Sequence, residues 1–257
     1  RACEAVAELG AVRRASLDWN RRRLAIIALG LIATEQALAL VAEAIDDQTG
    51  YVRLEAVHIL GESDRAPAAQ LLLARLKTER YREVRDEIVE TLVRVSGHDV
   101  MVQLVGLLQD SRSETREAAA RAIGLARLPE GLVPLMDAMN DAEWRVRQAV
   151  VEAIGQYQDE RALHSLLLAL SDGHERVRQA SVFGLARWDS PEAREALINQ
   201  CLRDSDVWVR YRTVERLGHH RVTDAVPVLA SLLEQDREPA LMRRAIQAAL
   251  ATINAEC

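Results

Sequence analysis

The sequence predicts an all-α protein built as an alpha-solenoid of about eight helical hairpins. One short phrase recurs at a spacing of 31 to 33 residues: an arginine, then an apolar run that closes on Leu or Ile and a small residue. A fixed period of this size is typical of stacked repeats. The composition is 49% hydrophobic but only 4% aromatic. Such a composition favours a core of small aliphatic side chains between closely packed helices.

The repeated arginine marks the same position in eight successive repeats. It is found at Arg22, Arg53, Arg85, Arg116, Arg147, Arg178, Arg210 and Arg243. The pattern divides the chain into repeats at about 1–30, 31–61, 62–93, 94–124, 125–155, 156–186, 187–218 and 219–257. No Pro-, Gly- or Ser-rich linker interrupts them, so we expect residues 1–257 to form one continuous domain.

Residues 31–61 show how one repeat is expected to fold. Residues 35–45 carry one apolar stripe and residues 52–60 carry a second. Their spacing of three to four residues is that of two amphipathic helices, with residues 46–50 as the turn between them. Gly61 stands where the second helix must end, and we expect it to supply the left-handed conformation of a C-cap.

An aspartate precedes the second helix in seven of the eight repeats. These residues are Asp18, Asp47, Asp110, Asp141, Asp172, Asp204 and Asp236, and Thr78 takes this place in the third repeat. Each carboxylate is expected to accept hydrogen bonds from the free N–H groups of the second helix or from the repeated arginine. An active site occurs once in a chain, whereas this pair recurs, so we interpret it as structural.

The overall charge and residue usage disfavour several classes of function. A formal charge of −6 makes nucleic acid an unlikely partner, because such binding depends on clustered Lys and Arg. No apolar run is long enough to insert into a membrane, and three widely spaced cysteines fit a cytoplasmic protein. We assign no cofactor, metal ligand or catalytic residue, since no motif for one is found. The chain starts at Arg1 inside a helical pattern, so we expect it to be a piece of a longer protein.

The repeated phrase resembles the HEAT-like repeat family. An aspartate, a few residues, Val-Arg, and then Ala and Leu-Gly is similar to the short form of about 31 residues found in bilin lyases. The closing part of the phrase is clearest at 52–61, 146–155 and 209–218. The resemblance implies a right-handed superhelix whose second helices line the concave side. It does not imply one activity, because members of the family include scaffolds, lyase subunits and regulatory domains.

Two kinds of enzyme that resemble this array can be tested against the residues. Deoxyhypusine hydroxylases carry several His-Glu pairs that hold two irons, whereas this chain has only His174-Glu175, in a turn. DNA-glycosylase relatives need a basic concave groove, which the acidic charge of this chain contradicts. Neither reading is favoured.

The positions expected to face the concave groove suggest a protein-binding surface. They lie just before the Val-Arg pair and two, three and six residues after the valine, and so avoid the buried stripe. The predicted site consists of Trp19, Tyr51, Glu87, Glu90, Arg121, Trp144, Glu152, Phe183, Trp208, Tyr211 and Arg212. Exposed aromatic side chains are common anchors for partners. The alternative is that the rings pack between repeats and the charges form a solvated surface.

Charge along this face is uneven. Acidic residues gather in the second to fourth repeats, and arginines lie towards the C-terminal end. Glu90, Arg121 and Glu152 occupy the same position in successive repeats, so we expect them to form a ladder of ion pairs. A partner segment of complementary charge would be steered into register by such a field.

The sequence therefore predicts a non-enzymatic scaffold or regulatory domain that binds another protein or peptide segment, anchored by Trp144, Trp208 and Tyr211. One alternative is a bilin-lyase-like protein that acts on a tetrapyrrole-bearing antenna protein, which only the type of repeat supports. Another is an array attached to an enzyme that lies outside these residues.

Overall fold

The computed structural model describes residues 2–62, 67–94, 97–234 and 238–255. Within these ranges the chain forms sixteen α-helices and no strand. The helices are α1 (Ala2–Ala15), α2 (Trp19–Ile32), α3 (Glu35–Glu43), α4 (Gly50–Glu62), α5 (Pro67–Leu76), α6 (Arg82–Arg94), α7 (His98–Leu107), α8 (Ser113–Ala126), α9 (Leu132–Asp137), α10 (Trp144–Ile154), α11 (Glu160–Ala169), α12 (Glu175–Leu185), α13 (Pro191–Asn199), α14 (Val207–His219), α15 (Val226–Glu234) and α16 (Ala240–Asn254). Sixteen helices make eight hairpins, so the predicted all-α solenoid is confirmed. None of the described helices combines the length and the apolar character needed to cross a bilayer.

The helices group into two compact units. The N-terminal unit, Arg1–Ala126, contains α1 to α8, and the C-terminal unit, Arg127–Cys257, contains α9 to α16. Within each unit the second helices of the hairpins pack against one another along their length, whereas the first helices contact one another only sparsely. The second helices therefore form the more closely spaced layer, and we call its solvent-exposed side the inner face.

Small and branched aliphatic side chains fill the space between the two layers. In α4, Val52, Ala56 and Val57 are fully buried. Their spacing of one and four residues puts them on one side of a helix, towards the neighbouring hairpins. This arrangement leaves the opposite side of each second helix free to carry functional residues.

The closing glycines allow the second helices to approach one another, and among the described residues none of them adopts a left-handed C-cap conformation. The left-handed C-cap expected at Gly61 is wrong, because α4 continues through this residue and no described glycine has a positive φ. A Cβ at Gly155 would lie 3.1 Å from Cα of Gly184, and one at Gly218 would lie 2.9 Å from Cα of Ala249. A side chain at either position would require backbone atoms of the neighbouring helix to move. The left-handed residues that follow second helices are Ala33, Arg127 and Arg221.

Several of the repeated arginines join their hairpin to the next one. Arg178 donates from Nε and Nη2 to the two carboxylate oxygens of Asp204, at 2.8 and 2.9 Å. Its Nη1 donates to the carbonyl oxygen of Asp172 at 2.9 Å. The aspartate of the arginine's own repeat thus offers its backbone, and that of the following repeat offers its side chain. The same bidentate pairs join Arg22 to Asp47 and Arg147 to Asp172.

Both roles expected for the turn aspartates occur in the same carboxylate. Asp172 accepts from Arg147 and also from the backbone N–H of His174, at 2.8 Å. Burial alone raises the pKa of Asp172, but these two hydrogen bonds outweigh burial and hold the pKa below its ordinary value. The carboxylate is therefore kept ionised at the joint between two hairpins.

The third repeat reaches the same result with a different residue. Thr78 occupies the expected aspartate position, and the next residue, Glu79, is fully buried and pairs with Arg53 at 2.7 and 2.8 Å. Glu79 also accepts from Nε of Arg75 and from the backbone N–H of Tyr81. Burial raises the pKa of Glu79, but hydrogen bonds from Arg53, Tyr81 and Arg75 together lower it to about 2.

Two further joints depart from the expected pairing. Arg85 donates to the carbonyl oxygens of Glu79 and Arg80, and it forms no ion pair with Asp110 in the described part of the chain. Arg210 forms its bidentate pair with Glu238, at 3.1 and 2.9 Å. Asp236, the aspartate expected in the last turn, lies outside the described residues.

Candidate functional site

Four of the predicted aromatic residues lie in the first turns of second helices. They are Trp19 on α2, Tyr51 on α4, Trp144 on α10 and Trp208 on α14. The turn before each helix fixes where the ring emerges. In α14, for example, the carboxylate of Asp206 accepts from the backbone N–H groups of Trp208 and Val209 and so starts the helix at that point. Within each unit these rings lie at the N-terminal ends of second helices, and we call them the edge row of that unit.

In the N-terminal unit the edge row begins with Trp19 and Tyr51. Their ring centroids are 5.4 Å apart, and the residues are 42% and 65% exposed. Two large rings in contact with each other still leave much apolar surface in water. Contiguous exposed apolar surface of this kind often marks an interaction site.

Tyr81 extends this row, although sequence analysis missed it. Its ring packs over the backbone of Gly50, with a ring carbon 3.2 Å from where a Cβ would stand, and lies 5.1 Å from the guanidinium carbon of Arg53. Tyr81 is 55% exposed. The shifted turn of the third repeat puts it four residues before Arg85. A search that allowed for this shift would have found it.

In the C-terminal unit the row consists of two separate ring pairs. Trp144 is half-buried and stacks on the imidazole of His174, with centroids 4.0 Å apart and planes 9° apart. Trp208 is 50% exposed and meets Tyr211 edge to face at 5.7 Å. His174 was not among the predicted site residues. It is the N-cap of α12 and accepts from the backbone N–H of Arg176 through Nδ1.

Phe183 lies apart from the edge row, in the last turn of α12 on the inner face. The guanidinium carbon of Arg216 is 4.0 Å from its ring centroid, and that of Arg212 is 5.8 Å away. Arg212 also donates to Glu215 of its own helix at 2.7 Å. Arg216, which sequence analysis missed, is seven residues after Val209, one position beyond those taken as exposed.

The expected ladder through Glu90 and Arg121 is wrong. Arg121 on α8 pairs with Asp86 on α6, and the exposed Glu90 is not its partner. Helical side chains point towards the N-terminus of their own helix, so Arg121 contacts the residue one turn earlier than Glu90. Glu152 lies in the C-terminal unit and accepts from Gln148 of its own helix at 2.8 Å.

Several carboxylates on the inner face of the N-terminal unit are paired within that unit. Glu55 accepts from Arg23 at 2.9 Å, and Glu87 lies 3.2 Å from Nδ1 of His58 and 3.6 Å from Arg94. The acidic character expected of this region is therefore offset in part by neighbours, while Glu90 remains exposed. Exposed pairs of this kind contribute only about 0 to 1 kcal/mol each to stability.

Neither Cys201 nor a group of metal-ligating side chains offers a reactive centre in the described residues. Cys201 is 1% exposed, and burial foremost, then the charge of Asp204, raises the pKa of its thiol to about 12. A thiol in that state packs as a small apolar group and is not a nucleophile. In the described part of the chain, no three His, Cys, Asp or Glu residues are grouped to hold a metal ion.

A family model described as HEAT repeats matches residues 6–93, 102–180 and 164–251. No curated protein matches the chain in sequence. Among solved structures, Kap95 in a Kap95:Nup1 complex is 15% identical with a TM-score of 0.68, and the match covers 98% of this chain and 41% of that one. The Escherichia coli protein YibA is 18% identical with a TM-score of 0.58, covering 96% of this chain and 94% of that one.

The complex of CpcE and CpcF, a phycocyanin lyase from Nostoc sp. PCC7120, also matches. It is 17% identical, covers 84% of this chain and 94% of that one, and has a TM-score of 0.49. At these identities a match shows likeness of fold alone. The lyase match, with the lowest TM-score of the three, supports no functional conclusion.

Proposed function

This chain belongs to the HEAT-repeat family, and we propose that it is a non-enzymatic scaffold or regulatory protein that binds another protein through its second helices. The observation that carries the proposal is the edge row of exposed rings. The chain has nine aromatic residues, and Trp19, Tyr51, Tyr81 and Trp208 are each at least 42% exposed.

The packing of the core does not require these rings to be exposed. The core is filled by Ala, Val, Leu and Ile, and the rings stand outside it at the starts of the second helices. Burying a Trp or Tyr side chain against a partner removes a large apolar area from water at little cost in conformational entropy. Residues of this type are therefore enriched among the energetically important residues of protein interfaces.

The fold is compatible with this role. Stacked repeats present extended surfaces instead of one deep pocket. Kap95, which shares the fold at a TM-score of 0.68, is found in complex with Nup1.

Within the proposed surface we assign the role of anchors to Trp144, Trp208 and Tyr211. They belong to the C-terminal unit, where one ring pair joins α10 to the start of α12 and the other lies within α14. The other predicted residues would also contact the partner: Glu152, Phe183 and Arg212 in the C-terminal unit, and Trp19, Tyr51, Glu87, Glu90 and Arg121 in the N-terminal unit.

The test is affinity capture from lysate of the source cells with a triple Trp144→Ala, Trp208→Ala, Tyr211→Ala variant. A protein held by the wild type should be lost from the variant, and its affinity should fall by about 2 kcal/mol or more, as at an interface hot spot. The matched control is Val133→Ala with Leu168→Ala. These side chains are 48% and 59% exposed on α9 and α11, in the layer of first helices.

The control should retain the partner, and circular dichroism should show that both variants keep their helices. Equal capture by the wild type and the triple variant would refute the assignment of the anchors. Loss of capture in the control as well would show that the surface is not selective.

A further inference from the structure

Among the described residues, three arginines of the C-terminal unit have no carboxylate partner: Arg127, Arg187 and Arg216. Oε1 of Gln156 accepts from Nη2 of Arg127 and from Nη1 of Arg187, each at 3.0 Å. A neutral amide oxygen thus stands between two guanidinium groups. In the described part of the chain neither arginine forms an ion pair.

The third arginine, Arg216, lines a groove together with Arg187. Arg216 packs its guanidinium over the ring of Phe183 and, with Gln156 and Arg187, lines this groove of about 400 Å³. It too has no ionic partner within the described ranges. The groove lining includes one carboxylate, Glu152, which already accepts from Gln148.

These arginines differ in this respect from the repeated arginines at the joints. Arg147, Arg178 and Arg210 each hold a carboxylate in a bidentate pair. A guanidinium is well suited to such a pair, because its donors form a planar fork that matches the two oxygens. Arg187 and Arg216 present this fork to an open groove. The lining of the groove holds two arginines and one carboxylate, Glu152, and so has a small excess of positive charge in a chain whose formal charge is −6.

The floor of the groove is made of small residues, so that a peptide backbone can lie close to it. Gly155, Ala180 and Gly184 line the part beside Phe183. A second groove of about 560 Å³ continues from Arg216 past Tyr211 and Arg212 to α16, and is floored by Gly218, Ala245, Ala248 and Ala249. The second helices of the C-terminal unit are α10, α12, α14 and α16. With axes about 8–10 Å apart they span roughly 30 Å, a distance that an extended peptide crosses in about nine residues.

We propose that this face of the C-terminal unit binds an extended acidic segment of a partner protein. One carboxylate of the segment lies between Arg187 and Arg216 beside Gln156, and small or apolar side chains of the segment lie on the Gly and Ala floor. This inference rests on the proposed function and names the chemistry of its partner. A peptide fits better than a nucleic acid, because the positive region is short and a longer polyanion would meet the net negative charge of the chain.

The test uses the whole chain and an array of immobilised peptides of about ten residues. In one series the charged positions carry Asp or Glu, in a second the corresponding amides Asn or Gln, and in a third Lys. The remaining positions carry Ala, Gly or Leu in all three series. Binding should increase with the number of carboxylates and should fall at least about tenfold when they become amides. An oligonucleotide of similar length is measured in parallel at the same salt concentration.

Three variants test the site itself. Arg187→Ala and Arg216→Ala should each weaken the acidic peptides about tenfold. Gln156→Glu places an internal carboxylate between Arg127 and Arg187, so it should abolish binding while it raises the melting temperature. The control is Arg161→Ala, an exposed arginine on α11 in the layer of first helices, which should bind as the wild type does.

Binding that does not depend on carboxylates, or that survives Gln156→Glu, would overturn the proposal, as would an oligonucleotide that binds more tightly than any acidic peptide. Failure here is distinct from failure of the proposed function. A captured partner that is lost from the triple aromatic variant but retained by Gln156→Glu would leave the function standing and remove the acidic segment.

Discussion

The two units build the joints between their hairpins with different regularity. In the C-terminal unit Arg147, Arg178 and Arg210 all form bidentate ion pairs with the following hairpin. In the N-terminal unit Arg85 has no such pair with Asp110 in the described residues. Yet Nη1 of Arg85, like that of Arg178, donates to the carbonyl oxygen six residues earlier. The bond to the turn within the hairpin is thus the constant part of the joint, and the ion pair to the next hairpin is the variable part.

The inner faces of the two units differ in how their charged side chains are paired. Carboxylates such as Glu55 and Asp86 in the N-terminal unit are paired with arginines of the same unit. Arginines such as Arg187 and Arg216 in the C-terminal unit face a groove without a carboxylate partner among the described residues. The joints follow the repeat, whereas the charges of the inner face differ between the two units. In the function proposed above, this difference would let the inner face select the partner.

The largest effect that separates the units is expected from Glu79→Ala. This carboxylate is fully buried between Arg53 and Arg75, so its removal leaves a buried guanidinium without its partner. The free energy of unfolding should fall by about 3–5 kcal/mol. The counterpart Asp204→Ala removes a partly exposed partner of Arg178 and should cost about 1–3 kcal/mol.

Urea titration measures both losses, and hydrogen exchange locates them, since a repeat array need not unfold in one step. Equal losses in the two variants would show that burial does not distinguish the two joints.

A pH titration sharpens the same comparison. The pKa of Glu79 is lowered from 4.5 to about 2. A carboxylate with a lowered folded-state pKa stabilises the protein above its unfolded pKa, and this stability is lost as the pH falls through the folded value. The stability difference between wild type and Glu79→Gln should therefore shrink by about 3 kcal/mol between about pH 5 and pH 2. A difference that stays constant over this range would mean that Glu79 is not ionised in the folded protein.

Features that repeat along the chain could be predicted from the sequence, and features that depend on how helices meet could not. The hairpins and the arginine–aspartate joints recur at a fixed spacing, so one repeat supports the reading of the others. The pairing of Arg121 with Asp86 depends on the direction of a side chain across two helices, and its sequence position alone pointed to Glu90. Tyr81 was missed because the turn that precedes α6 is shifted. The cap expected at Gly61 was wrong because α4 continues through this residue. Glycine is favoured at this position because the side chains of Thr91 and Arg94 on the neighbouring helix lie close to it.

The smallest effect is expected from replacing glycines at which second helices approach one another, Gly218 in the C-terminal unit and Gly30 in the N-terminal unit. At Gly218 an added Cβ would lie 2.9 Å from Cα of Ala249, and backbone atoms cannot move aside without shifting a helix. At Gly30 the nearest atoms, 2.8 Å away, belong to the side chain of Ile59, which is only half-buried. Gly218→Ala should therefore reduce the free energy of unfolding by about 1–3 kcal/mol, and Gly30→Ala by less than about 1 kcal/mol.

Gly106 on α7 provides the control, because nothing lies within 4 Å of its added Cβ. There the substitution to Ala should stabilise the protein by about 0.5–1 kcal/mol, since alanine loses less backbone entropy on folding. Thermal unfolding of the three variants gives their order. If Gly218→Ala were as stable as Gly106→Ala, the second helices of the C-terminal unit would have room to separate, and close approach would not explain the closing glycines.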